Sequence, residues 1–298
     1  PALTSPVANP VHRQVVVVDW ALHKRRDVAQ TSCMAFNPLV DIGVNLTHSR
    51  FAADRGDVIA RAEAAGVTHI IATGVSADES AAAAALAEQY PQSLRATAGV
   101  HPHYASEWDA RAAEQVATLL ANPMVCAVGE TGLDYYRDFS PRSQQRSAFA
   151  AQLALGVSHQ QPAFCHQRDA EGDFLSILAD YRTALPGAVL HCFTGDRALL
   201  ERCIEWDLYI GITGWICDER RGAALRDLVR LIPRERLLIE TDAPFLLPRD
   251  LPKPPSNRRN EPVYLSHILE RIAALRDESL DDLATVTYAN SRRLFRLS

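Results

Sequence analysis

A chain of 298 residues, 47% hydrophobic and 22% charged, is long enough to enclose one large core and has the composition of an ordinary globular protein. Its formal charge of −5 argues against a broadly basic surface that coats nucleic acid, though not against a site that grips a few phosphates. No apolar run reaches the roughly 18 residues of a membrane span, and no export leader is legible. The six cysteines (Cys33, Cys126, Cys165, Cys192, Cys203 and Cys217) show neither CxxC pairs nor disulfide-rich spacing, so the expected compartment is the cytoplasm.

Residues 1–38 lack regular patterning: early prolines, the short run Val15–Val18 and the basic cluster Lys24-Arg25-Arg26. They are expected to form an unpacked N-terminal extension, with a natural start near Met34, or else an adaptor arm. The patterned domain is expected over 39–298. Within it, strands are predicted at 39–46, 68–75, 94–101, 125–132, 162–167, 188–195, 208–215 and 236–243. Between and after them helices are predicted at 52–65, 77–89, 108–121, 142–158, 171–183, 197–206, 220–231, 261–275 and 280–296. Ser76-Ala77-Asp78-Glu79 reads as a capping box opening the second of these. Near-continuous apolar strands alternating with amphipathic helices indicate a parallel sheet buried on both faces. Eight such units point to an α/β fold, the closed (β/α)8 TIM barrel. A doubly wound open sheet is the competing architecture, but no Gly-rich phosphate loop follows the first strand.

Four predicted strands end at residues able to bind a divalent cation: Glu130, His166, His191 and Asp242. A parallel barrel brings all strand carboxyl ends to one face, where distant residues converge. Two imidazoles and two carboxylates suit Zn²⁺, Mn²⁺ or, with more water, Mg²⁺. Glu130 has two oxygens with which to bridge ions, and Asp242 is placed to ligate or to accept a proton from a polarised water. A single strand-end His is ordinarily structural; four such residues on four strands make a metal-dependent hydrolase the leading reading.

The stretches DIGVNLTHSRF, TAGVHPH, VGETGLDYYRDFS, HCFTG, YIGITGWICDERRG, LLIETDAPFLLPRDL and SNRRNEP resemble the TatD family of metal-dependent deoxyribonucleases over about 40–296. The resemblance implies an amidohydrolase-type barrel that hydrolyses phosphodiesters with a divalent metal, Mg²⁺ foremost and Mn²⁺ or Zn²⁺ as alternatives. It further implies 3′-to-5′ exonuclease action on single-stranded DNA or RNA ends, with a use in DNA repair. By motif, the ligands fall on Glu130, His166 and His191, and Asp242 is ligand or acid/base. One departure stands out. Many relatives carry His-x-His on the first strand, where this chain has Gly43 and Asn45. One metal position is therefore expected to be weaker, more hydrated or empty.

Around this set, His101 is expected to touch substrate phosphate or a metal-activated water, or to hydrogen-bond a ligand, while His103 reads as a loop residue. Arg168 lies two residues past His166, suiting phosphate or an ion pair with Asp169 or Glu171. Arg258 and Arg259, on the long loop after Asp242, suit the nucleic-acid backbone, with an Arg259–Glu261 lock as the structural alternative. Asn45 joins them as a substrate contact. Trp215, Tyr135 and Tyr136 suit base stacking or simple packing, and Asp218–Arg221 reads as a helix start. An amide or ester hydrolase on the same barrel is the second functional class, and a non-catalytic binding barrel the third. Glu130 stands where a carboxylated lysine would bridge metals in the former, and the latter should have lost one of the four strand-end residues. A monomer is expected.

Overall fold

The computed structural model describes residues 1–2 and 37–297. The chain divides into two units, 1–35 and 36–298, and the second carries every strand and helix among the described residues. The expected N-terminal extension and start near Met34 lie outside the described residues.

Eight parallel strands form one sheet in sequence order. They are β1 (Leu39–Val44), β2 (Val67–Ala72), β3 (Leu94–Ala98), β4 (Val125–Asp134), β5 (Ala163–Arg168), β6 (Ala188–Leu190), β7 (Tyr209–Ile212) and β8 (Leu237–Ile239). Closure comes from a parallel bridge between Val44 and Ala243. Asp242 N donates to Gly43 O at 2.9 Å and Asn45 N to Ala243 O at 2.8 Å beside it. The barrel expected from the alternation of runs is the barrel observed.

The helices are α1 (Arg55–Ala64), α2 (Ala77–Gln89), α3 (Ala110–Leu120), α4 (Arg142–Ser158), α5 (Glu171–Ala179), α6 (Arg197–Glu205), α7 (Ala223–Leu228), α8 (Leu265–Arg276) and α9 (Leu280–Phe295). Side-chain caps start several of them, because the first N–H groups of a helix have no partner within it. Ser76 Oγ accepts from Glu79 N at 3.2 Å, Asp109 Oδ1 from Ala112 N at 2.8 Å and Asp196 Oδ1 from Leu199 N at 2.9 Å. Predicted strand ends fail in both directions. β4 and β5 run past theirs, while β1, β2, β3, β6, β7 and β8 stop short, so His101, His191 and Asp242 stand just past their strands.

Two apolar clusters follow from this layering. One lies between strands and helices, and includes Phe51, Phe149, Phe174, Leu200 and Ile268. The other fills the barrel with Val40, Ile42, Ile71, Phe164, Val189 and Leu238, closed by Leu294 and Phe295 of α9. With one end of the barrel plugged by α9, the carboxyl ends of the strands form the open mouth. Among the described residues no helix is long and apolar enough to cross a membrane.

Candidate active site

Glu130 organises the mouth. It sits in β4, fully lined by buried neighbours, and one oxygen, Oε1, meets three imidazoles. His101 Nε2 stands 3.2 Å from it, His166 Nδ1 3.2 Å and His191 Nε2 2.8 Å. Donor atoms of His101, Glu130 and His166 all lie within 4.8 Å of one another. Three imidazole nitrogens crowded on one carboxylate oxygen is a costly arrangement for a dry protein interior, since each needs a partner and each disfavours its neighbours' charge. His166 adds to this: its Nε2, 3.5 Å from Asp134 Oδ2, is buried without a hydrogen bond. A divalent cation would relieve both features, and mixed N and O donors are its usual company. The residues present fit such an ion.

Against burial, Asp134 and Glu130 raise His166, and Glu130 with Glu240 raises His191 well above the imidazole range, so each would release a proton on ligating an ion. Burial alone would raise the Glu130 carboxyl; His191 and His101 beside it outweigh burial and hold it well below the ordinary range. Burial pushes His101 down to about 4, leaving it neutral and able to ligate. Asp242 lies in the field of His191, Glu130 and His166, and burial pushes its carboxyl up to about 7. Asn45 Nδ2 donates to Asp242 Oδ1 at 3.1 Å, which places Asn45 against the acid itself. Its expected role as a substrate contact becomes one of orienting Asp242.

Two residues that sequence reasoning passed over belong to this centre. Asp134 accepts from His103 Nε2 at 2.8 Å and from the backbone N–H groups of Tyr136 and Arg137 at 3.0 and 2.8 Å. It is thereby fixed as a carboxylate behind His166. Glu240, fully buried, lies 3.2 Å from His191 Nδ1 through Oε2, and its Oε1 accepts from Cys192 N. Strand periodicity held the signal for the first of them. Asp134 is four residues after Glu130 within β4 and so shares its face, whereas Glu240 follows the end of β8 and only its closeness to Asp242 pointed to it.

Around the mouth, Arg168 lays its guanidinium over the exposed Tyr136 ring, 4.0 Å from the centroid, and does not pair with Asp169 or Glu171. Arg258 is exposed on the loop after β8. Arg259 corrects the expectation of a backbone-binding residue: it is buried and committed elsewhere. Its guanidinium bonds Asp54 Oδ1 and Oδ2 at 2.8 and 2.7 Å, Glu261 Oε1 at 2.6 Å and Arg50 O at 2.7 Å. Its four terminal N–H donors are thus taken, and the fifth, on Nε, is buried without a partner, so none is presented to phosphate. His103 is likewise more than a loop residue, being paired with Asp134. Alternation past His166 and His191 would turn the thiols of Cys165 and Cys192 toward the helices, and Cys165 does pack into the outer core with Phe174 and Cys203. Cys192 does not. β6 ends at Leu190, so alternation no longer applies, and at φ 47° Cys192 turns its sulfur to within 3.7 Å of Thr213 Oγ1. Asp218–Arg221 forms a turn held by Asp218 Oδ1, with α7 starting only at Ala223.

A (β/α)8 barrel whose mouth gathers three histidines on one buried glutamate, with a neighbouring aspartate poised near neutrality, defines the class of metal-dependent barrel hydrolases. A family model described as "TatD related DNase" matches residues 40–296, and the chain belongs to that family. It is 53% identical over 260 residues to the 3′-5′ ssDNA/RNA exonuclease TatD of Escherichia coli K12, covering 87% of this chain and all of that one. The protein of the same description from Citrobacter rodentium is 54% identical over 260 residues, covering 87% of this chain and 98% of its own. Among solved structures, a TatD homolog from Escherichia coli K12 superimposes with a TM-score of 0.80 at 28% identity, covering 87% of this chain and 98% of that chain.

Proposed function

We propose that this nuclease removes nucleotides from the 3′ ends of single-stranded DNA and RNA, using a divalent cation held at the barrel mouth, with Mg²⁺ as the working ion. The observation that carries the reading is the convergence of His101, Glu130 and His166 donors within 4.8 Å at that mouth. The relatives described as 3′-5′ ssDNA/RNA exonucleases support the polarity and the substrate.

When bound, the ion would lower the pKa of a coordinated water and offset charge on the phosphate oxygens. Glu130, His101, His166 and His191 would hold it, with Asp242 at its edge. Asp242, with its carboxyl raised to about 7, is matched to accept the proton released as water attacks phosphorus, because a base poised near the working pH is most effective. Asn45 keeps that carboxylate aimed. Arg168 and Arg258 meet the phosphates of the strand. The five described cysteines are all unpaired, in keeping with a reducing cytoplasm. A monomer suffices, since every residue invoked comes from one chain, and trimming of damaged ends in DNA repair is the use this activity suits. Residues 1–38 take no part, so deleting 1–33 should leave activity and melting temperature nearly unchanged.

The test uses single-stranded oligonucleotides labelled at either end, digested with Mg²⁺, Mn²⁺ or EDTA. A 3′ label should leave first as mononucleotide, and EDTA should stop the reaction. Glu130→Ala and Asp242→Asn should each lose about 10²-fold or more. Full activity in EDTA, or in both variants, would end this reading.

A further inference from the structure

At the mouth, between the segment following β7 and the loop following β8, lies a cleft of about 230 Å³ lined by Trp215, Asp218, Arg221, Leu246, Arg249 and Arg258. Its position follows from topology: both walls leave adjacent strand carboxyl ends, and the second wall begins four residues after Asp242. The chain as a whole carries −5, yet three arginines converge here. The only carboxylate in the lining is already consumed. Asp218 accepts from the N–H groups of Arg220 and Arg221 at 3.0 Å each, and its Oδ2 holds Arg249 Nε at 3.0 Å.

The other two cations are not neutralised in this way. Arg221 places its guanidinium over the half-buried Trp215 ring, 5.2 Å from the centroid. Arg258 is exposed and makes no side-chain hydrogen bond or ion pair among the described residues. Its backbone adopts φ 50°, the left-handed region that is unfavourable for a residue with a Cβ. The neighbouring chain enforces this: Arg258 N donates to Pro255 O at 3.0 Å, and Arg259 N to Asn257 Oδ1 at 3.0 Å, with the Arg259 guanidinium buried beneath. A strained, rigidly supported arginine presented without a partner beside an aromatic face suits a ligand with both a phosphate and a flat ring.

We propose that this cleft is a nucleotide subsite, in which Trp215 stacks a base of the single strand flanking the scissile bond while Arg258 and Arg221 hold its phosphates. The inference rests on the nuclease reading above and deepens it. Stacking accepts any base, so the subsite would supply length-dependent affinity without sequence preference.

The test measures binding and steady-state turnover of the full chain on 3′-labelled dT oligonucleotides across a salt series, together with an oligonucleotide abasic except at its 3′-terminal nucleotide. Arg258→Ala should raise KM about tenfold with kcat within about twofold, and should reduce the slope of log K against log salt by about 0.7. The double variant Arg221→Ala/Arg258→Ala should reduce it by about 1.4. Trp215→Ala should weaken the dT strand about tenfold with the slope intact, and Trp215→Phe should restore most of that loss. The abasic strand should bind wild type and Trp215→Ala alike. Arg111→Ala, on the outer helix α3, is the control and should match wild type. Unchanged KM and salt slope in both arginine variants, with wild type active, would overturn the subsite alone. No hydrolysis by wild type would instead overturn the nuclease reading on which it rests.

Discussion

Glu240 occupies the space that a side chain on Gly43 would need: a Cβ there would overlap Glu240 Oε2, and one on Gly211 would overlap Oε1. The first-strand glycine thus gives room to a carboxylate that grips His191 from behind. With Nδ1 3.2 Å from Glu240 and Nε2 2.8 Å from Glu130, His191 keeps a proton on Nδ1, so Nε2 is the nitrogen that would give up its own proton and offer a lone pair to a cation. Glu240→Gln would present an amide N–H to Nδ1 and favour the opposite tautomer. We expect a 10- to 100-fold loss of Mg²⁺ or Mn²⁺ affinity by calorimetry, with far-ultraviolet circular dichroism unchanged. Gly43→Ala should act in the same direction by displacing the carboxylate. Wild-type affinity in Glu240→Gln would remove Glu240 from this role.

Metal content follows from the same strand. Gly43 offers no donor, and the Asn45 amide nitrogen is given to Asp242. The first strand therefore contributes no imidazole, and a second tightly held ion would lack the ligands that His-x-His relatives provide. Elemental analysis after desalting should find at most one ion per chain, with further binding only at millimolar concentration. Two ions retained through desalting would refute this.

The barrel was legible, and so was the meeting of His166 and His191 with Glu130 at its mouth, because both rest on local patterns. Apolar runs of strand length announce themselves, and Glu130, His166, His191 and Asp242 each close such a run. Where strands end is another matter. β6 is three residues long and β8 likewise, because the mouth diverts the backbone to side chains: Glu240 accepts from Cys192 N past β6, and Asp41 from Thr241 N past β8. Alternation read through those ends misplaced Cys192. Partner choice was also invisible in one dimension: Arg258 and Arg259 are neighbours of identical type, yet one is exposed and the other buried on Asp54, some two hundred residues earlier in the chain. Only the return of the β8 loop onto the segment after β1 decides between them.

That clamp should matter to stability. Arg259 is held by Asp54 and Glu261, and Arg61 completes the cluster through Asp54 at 3.2 Å and Glu261 at 2.9 Å. Removing Arg259 leaves both carboxylates to Arg61 alone, in a cluster whose Asp54 and Arg61 are partly exposed. Arg259→Ala should cost about 2 kcal/mol, lowering the melting temperature by roughly 4–8 °C for a domain of this size. Arg259→Lys should recover less than half, since an ammonium cannot span both carboxylates. Arg258→Ala, one residue away on an exposed side chain, should shift melting by no more than about 2 °C. Equal melting temperatures for Arg258→Ala and Arg259→Ala would show that the clamp adds nothing.

Asp41 supplies a pH dependence outside the metal centre. It is fully buried in β1, where its Oδ1 accepts from Thr241 N at 2.9 Å and its Oδ2 lies 2.6 Å from Thr241 Oγ1, tying β1 to the end of β8. Burial pushes its carboxyl up to about 8, against the partial opposition of the Thr241 hydrogen bonds. In the unfolded chain the same group would titrate near 3.9. Below that value both states carry the proton. As pH rises further the unfolded chain releases it while the folded barrel retains it, so stability falls progressively and the loss levels off near pH 8. Asp41→Asn cannot titrate and removes this slope. Melting temperatures measured from pH 5 to 8 should therefore decline more steeply for wild type than for Asp41→Asn. Parallel profiles would mean that Asp41 is already ionised in the folded barrel, with the Thr241 hydroxyl and amide sufficient to hold its charge.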